Sequence, residues 1–406
     1  MSVDVTINQP SLYGCCGCGV CVVVCPEKCI QLEMDQDGYY IGRADLEQCS
    51  GCGLCPKVCF KFQDKYALPY NTKPAVYTGY HRDDDIRYIS SSGGIATAIG
   101  EAAIAQGYKV IGAALNLKSR RLEHQVISTA EDLQLIRGSK YIPSYTPKAF
   151  SYLKENPKCV VIGTPCQIGG LRRMIQMKDE LSDVILVDFR CFGHAGKNLF
   201  EKYVDFLEGL NTSGIKSINM RAKNKGWHMW GVQADFNDGN QYYQNKFRDP
   251  FTFCFRSGQA VHDVCINCHE YKNSSHADLR MEDAWAFVST ATKMDLKTGL
   301  SMISVYSDKG KRLFEMITDT IAFKKEQIDV SQRTYTVIHK KHYLMELLRT
   351  DLSLKRIVKE YKNSLSTLYM INWNLQSLIT TIQPHVPGLY NFARRIYRKY
   401  FVSSPR

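Results

Sequence analysis

Apolar and polar positions follow two rhythms along this chain. Across residues 30–41 they alternate roughly one by one around Asp37-Gly38, the pattern of a tight β-hairpin. Residues 62–74 read as a linker, broken by Pro69, Asn71 and Pro74. Beyond them, apolar runs and helical periods take turns. Ser90-Ser91-Ser92-Gly93-Gly94 opens a predicted helix to about Gln106, and residues 109–115, 158–163 and 184–189 are predicted strands. Helices are expected after Thr164-Pro165-Cys166, to about Met177, and after Gly196. Residues 215–248 turn β-rich, with Asn237-Asp238-Gly239 marking a second hairpin, and residues 300–306 form a further strand leading into a helix. Strands alternating with helices predict an α/β core.

From about residue 333 the pattern is helical and basic. Residues 363–383 carry no formal charge, yet eleven of these 21 are Asn, Ser, Thr or Gln. A membrane span needs about 20 predominantly apolar residues, so this segment is not read as one. Residues 389–401 are amphipathic, with Leu389, Phe392, Ile396 and Tyr400 on one face and Arg394, Arg395, Arg398 and Lys399 on the other.

Charge sharpens that picture. The 406-residue chain has a net charge of +12, and residues 332–406 hold 13 Lys/Arg against three acids. The excess is therefore mostly C-terminal. It suits an acidic partner, peripheral contact with an anionic membrane, or plain solvation. No zinc finger, RNP signature or basic zipper is present, so no nucleic-acid partner is expected. The opening residues lack the charged and apolar regions of an export signal, which predicts a cytoplasmic protein.

The cysteines carry the chemistry. Ten of the 16 precede residue 60. Cys15, Cys18, Cys21 and Cys25 follow the spacing C-x2-C-x2-C-x3-C and precede Pro26; Cys49, Cys52, Cys55 and Cys59 repeat it, with Phe60 in place of proline. That doubled spacing belongs to two [4Fe–4S] clusters, in which the last cysteine of each run ligates the other cluster. Cys15, Cys18, Cys21 and Cys59 are expected to hold one, and Cys49, Cys52, Cys55 and Cys25 the other. Zinc is the competitor for any C-x2-C pair, but zinc ribbons use two pairs rather than runs of three. Cys16 and Cys29 are left over and read as small buried residues. Iron-bound thiolates also need a reducing compartment.

Cys166 and Cys191 each follow a predicted strand, where α/β sheets line their ligand crevice. With Cys265-x2-Cys268 they form either a third four-cysteine site or scattered core residues; the residues alone leave both open. Ser91-Ser92-Gly93-Gly94 suits an anion at a helix start, or an ordinary cap. Arg137-Gly138-Ser139-Lys140-Tyr141 suits a phosphate or a flavin edge, or a solvated loop. Trp227, Trp230 and Trp285 read as core. No G-x-G-x-x-G or P-loop is present.

The ordered set of the cysteine module, Ser-Ser-Gly-Gly, Arg-Gly-Ser-Lys-Tyr, Gly163-Thr164-Pro165-Cys166-Gln167, Asp188 to Gly193, Cys265-x2-Cys268, Ala277-Asp278-Leu279 and Asp283-Ala284-Trp285 resembles the coenzyme F420 hydrogenase/dehydrogenase beta-subunit family over about three quarters of the chain. Glu282 stands where the family usually has glycine. Pattern and resemblance together predict an α+β protein in three parts: a bacterial-type two-cluster ferredoxin module (1–62) from the cysteine spacing, an α/β core with a β-rich insertion (75–330) that the resemblance implies binds FAD, and a basic helical extension (331–406) that the resemblance does not reach. The resemblance implies FAD near Ser92, Gly93, Gly94, Lys140, Gly163 and Thr164, and a third [4Fe–4S] cluster on Cys166, Cys191, Cys265 and Cys268. Lys140 is the candidate catalytic residue, its charge placed to stabilise the reduced flavin. The expected activity is electron transfer between a redox partner protein, the clusters, the flavin, and a hydride carrier or small-molecule substrate. The alternatives are a non-catalytic electron-transfer subunit and a membrane-surface component of glycan assembly.

Overall fold

The computed structural model describes residues 14–59, 62, 73–266, 268, 275–287, 290–328 and 343–382. Its strands, in chain order, are β1 (Ile30–Met34), β2 (Tyr40–Ala44), β3 (Ala75–His81), β4 (Lys109–Asn116), β5 (Arg121–Ile127), β6 (Ser144–Tyr145), β7 (Cys159–Gly163), β8 (Ile185–Phe189), β9 (Ile215–Ala222), β10 (Gly231–Phe236), β11 (Gln241–Asn245), β12 (Leu279–Asp283), β13 (Ser301–Val305) and β14 (Ile321–Glu326). The centre is a nine-stranded mixed sheet in the order β14-β3-β13-β12-β8-β7-β4-β5-β6. β12, β8, β7 and β4 run parallel to their neighbours within that block, while β13, β3 and β14 extend it antiparallel on one side and β5 adds antiparallel to β4 on the other. The mixed α/β architecture therefore agrees with the sequence pattern.

Three strands read from sequence, β4, β7 and β8, lie side by side. Val160, Val161, Leu186 and Val187 are fully buried, because helices cover both faces of a parallel block. Five sheet strands escaped the pattern, one of them the two-residue β6. β12 reads Leu-Arg-Met-Glu-Asp, and its Arg280 and Glu282 are buried in ion pairs. β14 is an edge strand with three exposed positions. β3 and β5 carry polar residues and a glycine among their buried positions. The expected β-rich insertion is a separate three-stranded antiparallel sheet, β11-β10-β9.

The cysteine-rich segment is packed on this body. Hairpin β1–β2 turns at Asp35, whose Oδ1 accepts from Asp37 N and Tyr39 N. Helices Val20–Val24 and Leu54–Val58 each start at a left-handed glycine, Gly19 (φ 77°) and Gly53 (φ 70°), a conformation that costs other residues about 1 kcal/mol or more. Val20 and Val58 are fully buried among Ile168, Leu171 and Met174. Gly170 permits this approach: a Cβ there would meet Val20 Cγ2 at 2.9 Å. Asp37 also receives a two-pronged ion pair from Arg349, Nε–Oδ1 2.7 Å and Nη2–Oδ2 2.9 Å.

Arg349 belongs to the region expected as a basic extension. Over residues 343–382 that region is helical: Tyr343–Leu348, Leu354–Ser364 and Thr367–Ile382. It is built into the core rather than appended to it. Leu344, Leu354, Ile357 and Tyr361 are buried against Phe251, Phe253 and Leu207, and Trp373 Nε1 donates to Phe247 O at 3.1 Å. Each such aliphatic burial is worth about 1.5–3 kcal/mol. The charges that dominate the composition lie on the outer faces, such as Lys355, Arg356 and Lys359. The amphipathic 389–401 segment lies outside the described residues. No described helix is long and apolar enough to cross a membrane.

Candidate functional site

Twelve of the cysteines gather in three neighbourhoods. Burial pushes the Cys21 thiol up, and Cys18, Cys15, Cys59 and then Cys55 add to the effect. Cys55 is pushed up to about 11 by burial, with Cys52, Cys49 and Cys25 beside it. Cys265 is raised by burial, with Cys191, Cys166 and Cys268 beside it. The first grouping holds the four cysteines of one expected crossed set together with Cys55 of the other; the second holds the four of the other crossed set, and the third the four expected in the core. All are free thiols, with Cys49 and Cys52 exposed. Backbone amides already point at two of them: Gly17 N and Gly42 N lie 3.5 Å from Cys15 Sγ, and Gly193 N lies 3.3 Å from Cys191 Sγ.

Thiols this crowded resist ionising together, and a bound cation reverses that by deprotonating them outright. The donor sets thus fit iron–sulfur cubanes. Among the described residues no three His, Cys, Asp or Glu side chains converge on a single ion. A cubane takes one thiolate at each iron corner, so its ligands stand farther apart than those of one ion.

The Gly163-Thr164-Pro165-Cys166-Gln167 run is explained by local structure. β7 ends at Gly163, and Thr164 caps helix Pro165–Gln176 in a capping box with Gln167. Pro165 occupies the first turn, where its missing N–H is harmless. Cys166 therefore sits at the carboxyl end of β7, with Thr164 Oγ1 3.2 Å from its sulfur. Cys191 follows β8 in the same way.

The two candidate anion loops are brought together. Ser139 N donates to Ser91 Oγ at 2.9 Å, and the two hydroxyls lie 3.1 Å apart. Internal contacts occupy the expected flavin-loop residues. Ser92 Oγ donates to Leu300 O (2.9 Å) and Gly93 N to Ser301 Oγ (2.9 Å). A Cβ at Gly93 would meet Gly79 O at 2.6 Å, and Gly94 is the left-handed cap of helix Ile95–Ala105. Lys140 turns inward: its Nζ donates to Ile136 O and Arg137 O, both at 2.8 Å, and burial pulls its pKa down to about 7.

Beside these loops lies a buried cation cluster that sequence reading missed. Arg221 forks onto Asp283, Nη1–Oδ2 3.0 Å and Nη2–Oδ1 3.2 Å, and Asp283 also accepts from Trp227 Nε1 at 2.9 Å. Arg221 reaches Tyr141 OH at 3.4 Å and stacks over Trp230, while its buried Nε has no partner among the described residues. Lys223 Nζ donates to the carbonyls of Ser92 (2.6 Å), Arg87 (2.8 Å) and Thr298. Lys246 Nζ donates to His228 O at 2.6 Å, and Arg256 Nη1 to Lys246 O at 3.3 Å. Lys223, Lys246 and Arg256 thus rest on carbonyls and rings rather than carboxylates. Trp227 and Trp285 stack with centroids 4.0 Å apart. Burial disfavours the charged forms of Lys223 and Lys246, and an anion bound beside them would restore those protons, so this corner fits an anionic or electron-rich ligand.

The cluster sets a pH dependence. Burial, helped by Arg221, pulls the Lys223 pKa down to about 6. Between that value and the usual lysine value of about 10.4, the unfolded chain binds a proton at Lys223 that the folded chain lacks, so stability rises with pH across the window. Thermal melts from about pH 7 to about pH 9 are expected to show a rising Tm, and Lys223→Met is expected to flatten the slope. An equal slope in both proteins would refute this.

The match to known proteins falls on this body. Two family models, for the N-terminal part and the C terminus of the coenzyme F420 hydrogenase/dehydrogenase beta subunit, match residues 76–151 and 157–331 respectively. The chain belongs to the coenzyme F420 hydrogenase/dehydrogenase beta-subunit family. A chain of the F420-reducing [NiFe] hydrogenase complex from Methanosarcina barkeri is similar to it with a TM-score of 0.46 and 20% identity, over 73% of this chain and 93% of that one. No curated protein matches.

Within the beta-subunit match, the acids singled out by sequence are ion-pair partners. Asp188 forks with Arg280, Nε–Oδ1 2.8 Å and Nη2–Oδ2 2.7 Å, and both are buried. Asp278 takes Arg172 at 2.9 Å, together with Ser307 Oγ and Leu186 N. Glu282, the departure from the family pattern, pairs with Arg190 at 3.0 Å. These pairs fix β8 against β12 and so position Cys191 within this beta-subunit fold.

Proposed function

We propose that this chain is a flavin- and iron–sulfur-dependent oxidoreductase that moves electrons between a redox partner protein and a hydride carrier or small reducible substrate. The observation that carries the reading is the doubled C-x2-C-x2-C-x3-C spacing, with Cys166, Cys191, Cys265 and Cys268 brought near one another, within a beta-subunit-family protein. Residues 1–62 act as a two-cluster ferredoxin module, 75–330 as the FAD-binding core, and 331–406 as the basic extension. Cys15, Cys18, Cys21 and Cys59 hold one [4Fe–4S] cluster; Cys49, Cys52, Cys55 and Cys25 a second; Cys166, Cys191, Cys265 and Cys268 a third.

A bound flavin supplies exchange between two-electron and one-electron chemistry, which cubanes alone do not offer. The chain's own residues orient and hold. Ser91 and Ser139 join the two loops that would flank the flavin, from Ser92-Gly93-Gly94 to Gly163-Thr164. Arg221 would supply positive charge there, and Lys140 and Lys223, held near 7 and 6 by burial, would take up a proton as negative charge arrives, which favours added negative charge in a low-dielectric site.

Strictly anaerobic purification with iron, sulfide and flavin quantitation tests this. Three cubanes predict about 12 irons, with one flavin per chain. The same iron without flavin would favour an electron-transfer subunit. A colourless protein holding zinc would end the proposal.

A further inference from the structure

A surface helix ordinarily turns its apolar stripe inward. Helix Thr367–Ile382 carries one on its outer side. Trp373 anchors the inner side: it is 8% exposed, its Nε1 donates to Phe247 O at 3.1 Å, and its ring meets Phe253 edge-on with centroids 4.9 Å apart. At about 100° per residue, Tyr369, Gln376 and Thr380 share that inner side. Ile371, Leu375 and Leu378 stand about 140–160° around the helix from Trp373. Ile371 is 52% and Leu378 56% exposed.

Two further features indicate what covers this stripe. The helix has no charged residue, and Thr380 and Thr381 satisfy their hydroxyls within it, donating to Gln376 O at 2.7 Å and Ser377 O at 2.8 Å. Hydroxyls held in this way need no water and tolerate a lipid surrounding. The sequence around the helix is cationic: residues 354–406 hold nine Lys/Arg against one acid, Glu360, which is itself paired with Arg356 at 2.7 Å. Lys355, Lys359 and Lys362 are exposed. An apolar strip flanked by cations matches acyl chains beneath anionic headgroups. A second copy of the chain would set one cationic region against another. Sixteen residues span about 24 Å, short of the roughly 30 Å of a bilayer core, so this helix would lie along the surface rather than cross it.

We propose that the outer face of helix Thr367–Ile382 docks the protein on an anionic lipid surface, with Ile371, Leu375 and Leu378 entering the boundary between headgroups and acyl chains and the flanking lysines and arginines meeting the headgroups. This docking stands apart from the iron–sulfur and flavin reading and holds whether or not those groups are bound.

Co-sedimentation of the full chain with vesicles tests it. Vesicles of phosphatidylcholine alone are compared with vesicles of phosphatidylcholine mixed with phosphatidylglycerol, at about 0.1 M and about 1 M salt, where screening lengths are about 10 and 3 Å. Wild type is expected to bind the mixed vesicles at least about tenfold more tightly and to lose most of that binding at the higher salt. Ile371→Asp with Leu378→Asp is expected to weaken the low-salt binding about tenfold or more, with the thermal midpoint unchanged because both side chains are exposed. Ile371→Ala with Leu378→Ala gives a smaller loss in the same direction and serves if aspartate disturbs the helix. Leu210→Asp, at a leucine 54% exposed outside the stripe, is expected to leave binding unchanged. Wild type that ignores the mixed vesicles, or binds both kinds equally, overturns the proposal. Wild-type affinity in both stripe variants does so too, by assigning the binding to the cations alone. A dimer in light scattering that the aspartate pair dissolves would assign the stripe to a second copy instead.

Discussion

Replacing Cys265 with serine is expected to take the iron content from about 12 to about 8 per chain, with the two N-terminal sets intact. Cys265 is the thiol around which Cys191, Cys166 and Cys268 group, and it packs on the buried Val264. A serine oxygen is a poor substitute for a thiolate on iron, and three remaining ligands leave one corner open. Cys254→Ser is the control. Cys254 is fully buried, and the charged groups near it are Asp249 and Lys362 rather than other thiols. Its replacement is expected to leave iron unchanged. Equal iron in the Cys265 variant and wild type, by colorimetric assay and EPR, would remove the core set from the reading.

Replacing Asp188 with alanine is expected to cost about 3–5 kcal/mol, the usual penalty for stripping one partner from a buried ion pair. Arg280 would keep its charge at 3% exposure, with the paired carboxylate gone and Ser275 Oγ also losing its 3.0 Å partner. The double change Asp188→Leu with Arg280→Met is expected to recover most of the loss, since apolar replacement of a buried pair is often neutral. Urea midpoints measure both. A loss below about 1 kcal/mol in the single variant would mean that water reaches the guanidinium. Because the pair ties β8 to β12, its loss is also expected to loosen the turn that carries Cys191.

The central strands were legible because apolar runs such as Cys-Val-Val-Ile-Gly and Ile-Leu-Val-Asp-Phe leave few alternatives, and both hairpins announced themselves through Asp37-Gly38 and Asp238-Gly239. β12 was hidden because its alternate residues, Arg280 and Glu282, look like solvent-facing charges and are neutralised by partners about 90 positions away. The three thiol groupings follow spacing and strand ends, which sequence displays. Cys29 does not, since its 3.5 Å contact with Cys25 depends on how the N-terminal segment itself folds. The cation cluster was silent for another reason. Lys223 and Lys246 are satisfied by backbone carbonyls, which leave no residue signature. The apolar stripe of the C-terminal helices was masked by their surrounding lysines and arginines.

One feature of the fold decides how outside molecules meet this chain. The described cysteine segment is wedged between Gly170 on one side and the Asp37–Arg349 fork on the other. A shuttling carrier needs slack, and a segment clamped at two points has none to offer. If the segment carries clusters as proposed, exchange with a donor in solution would pass at a fixed berth, the outward rim where Cys49 and Cys52 meet the solvent. Which molecules exchange with the protein then becomes a matter of which can moor there, with their own mobility, not the chain's, setting the pace.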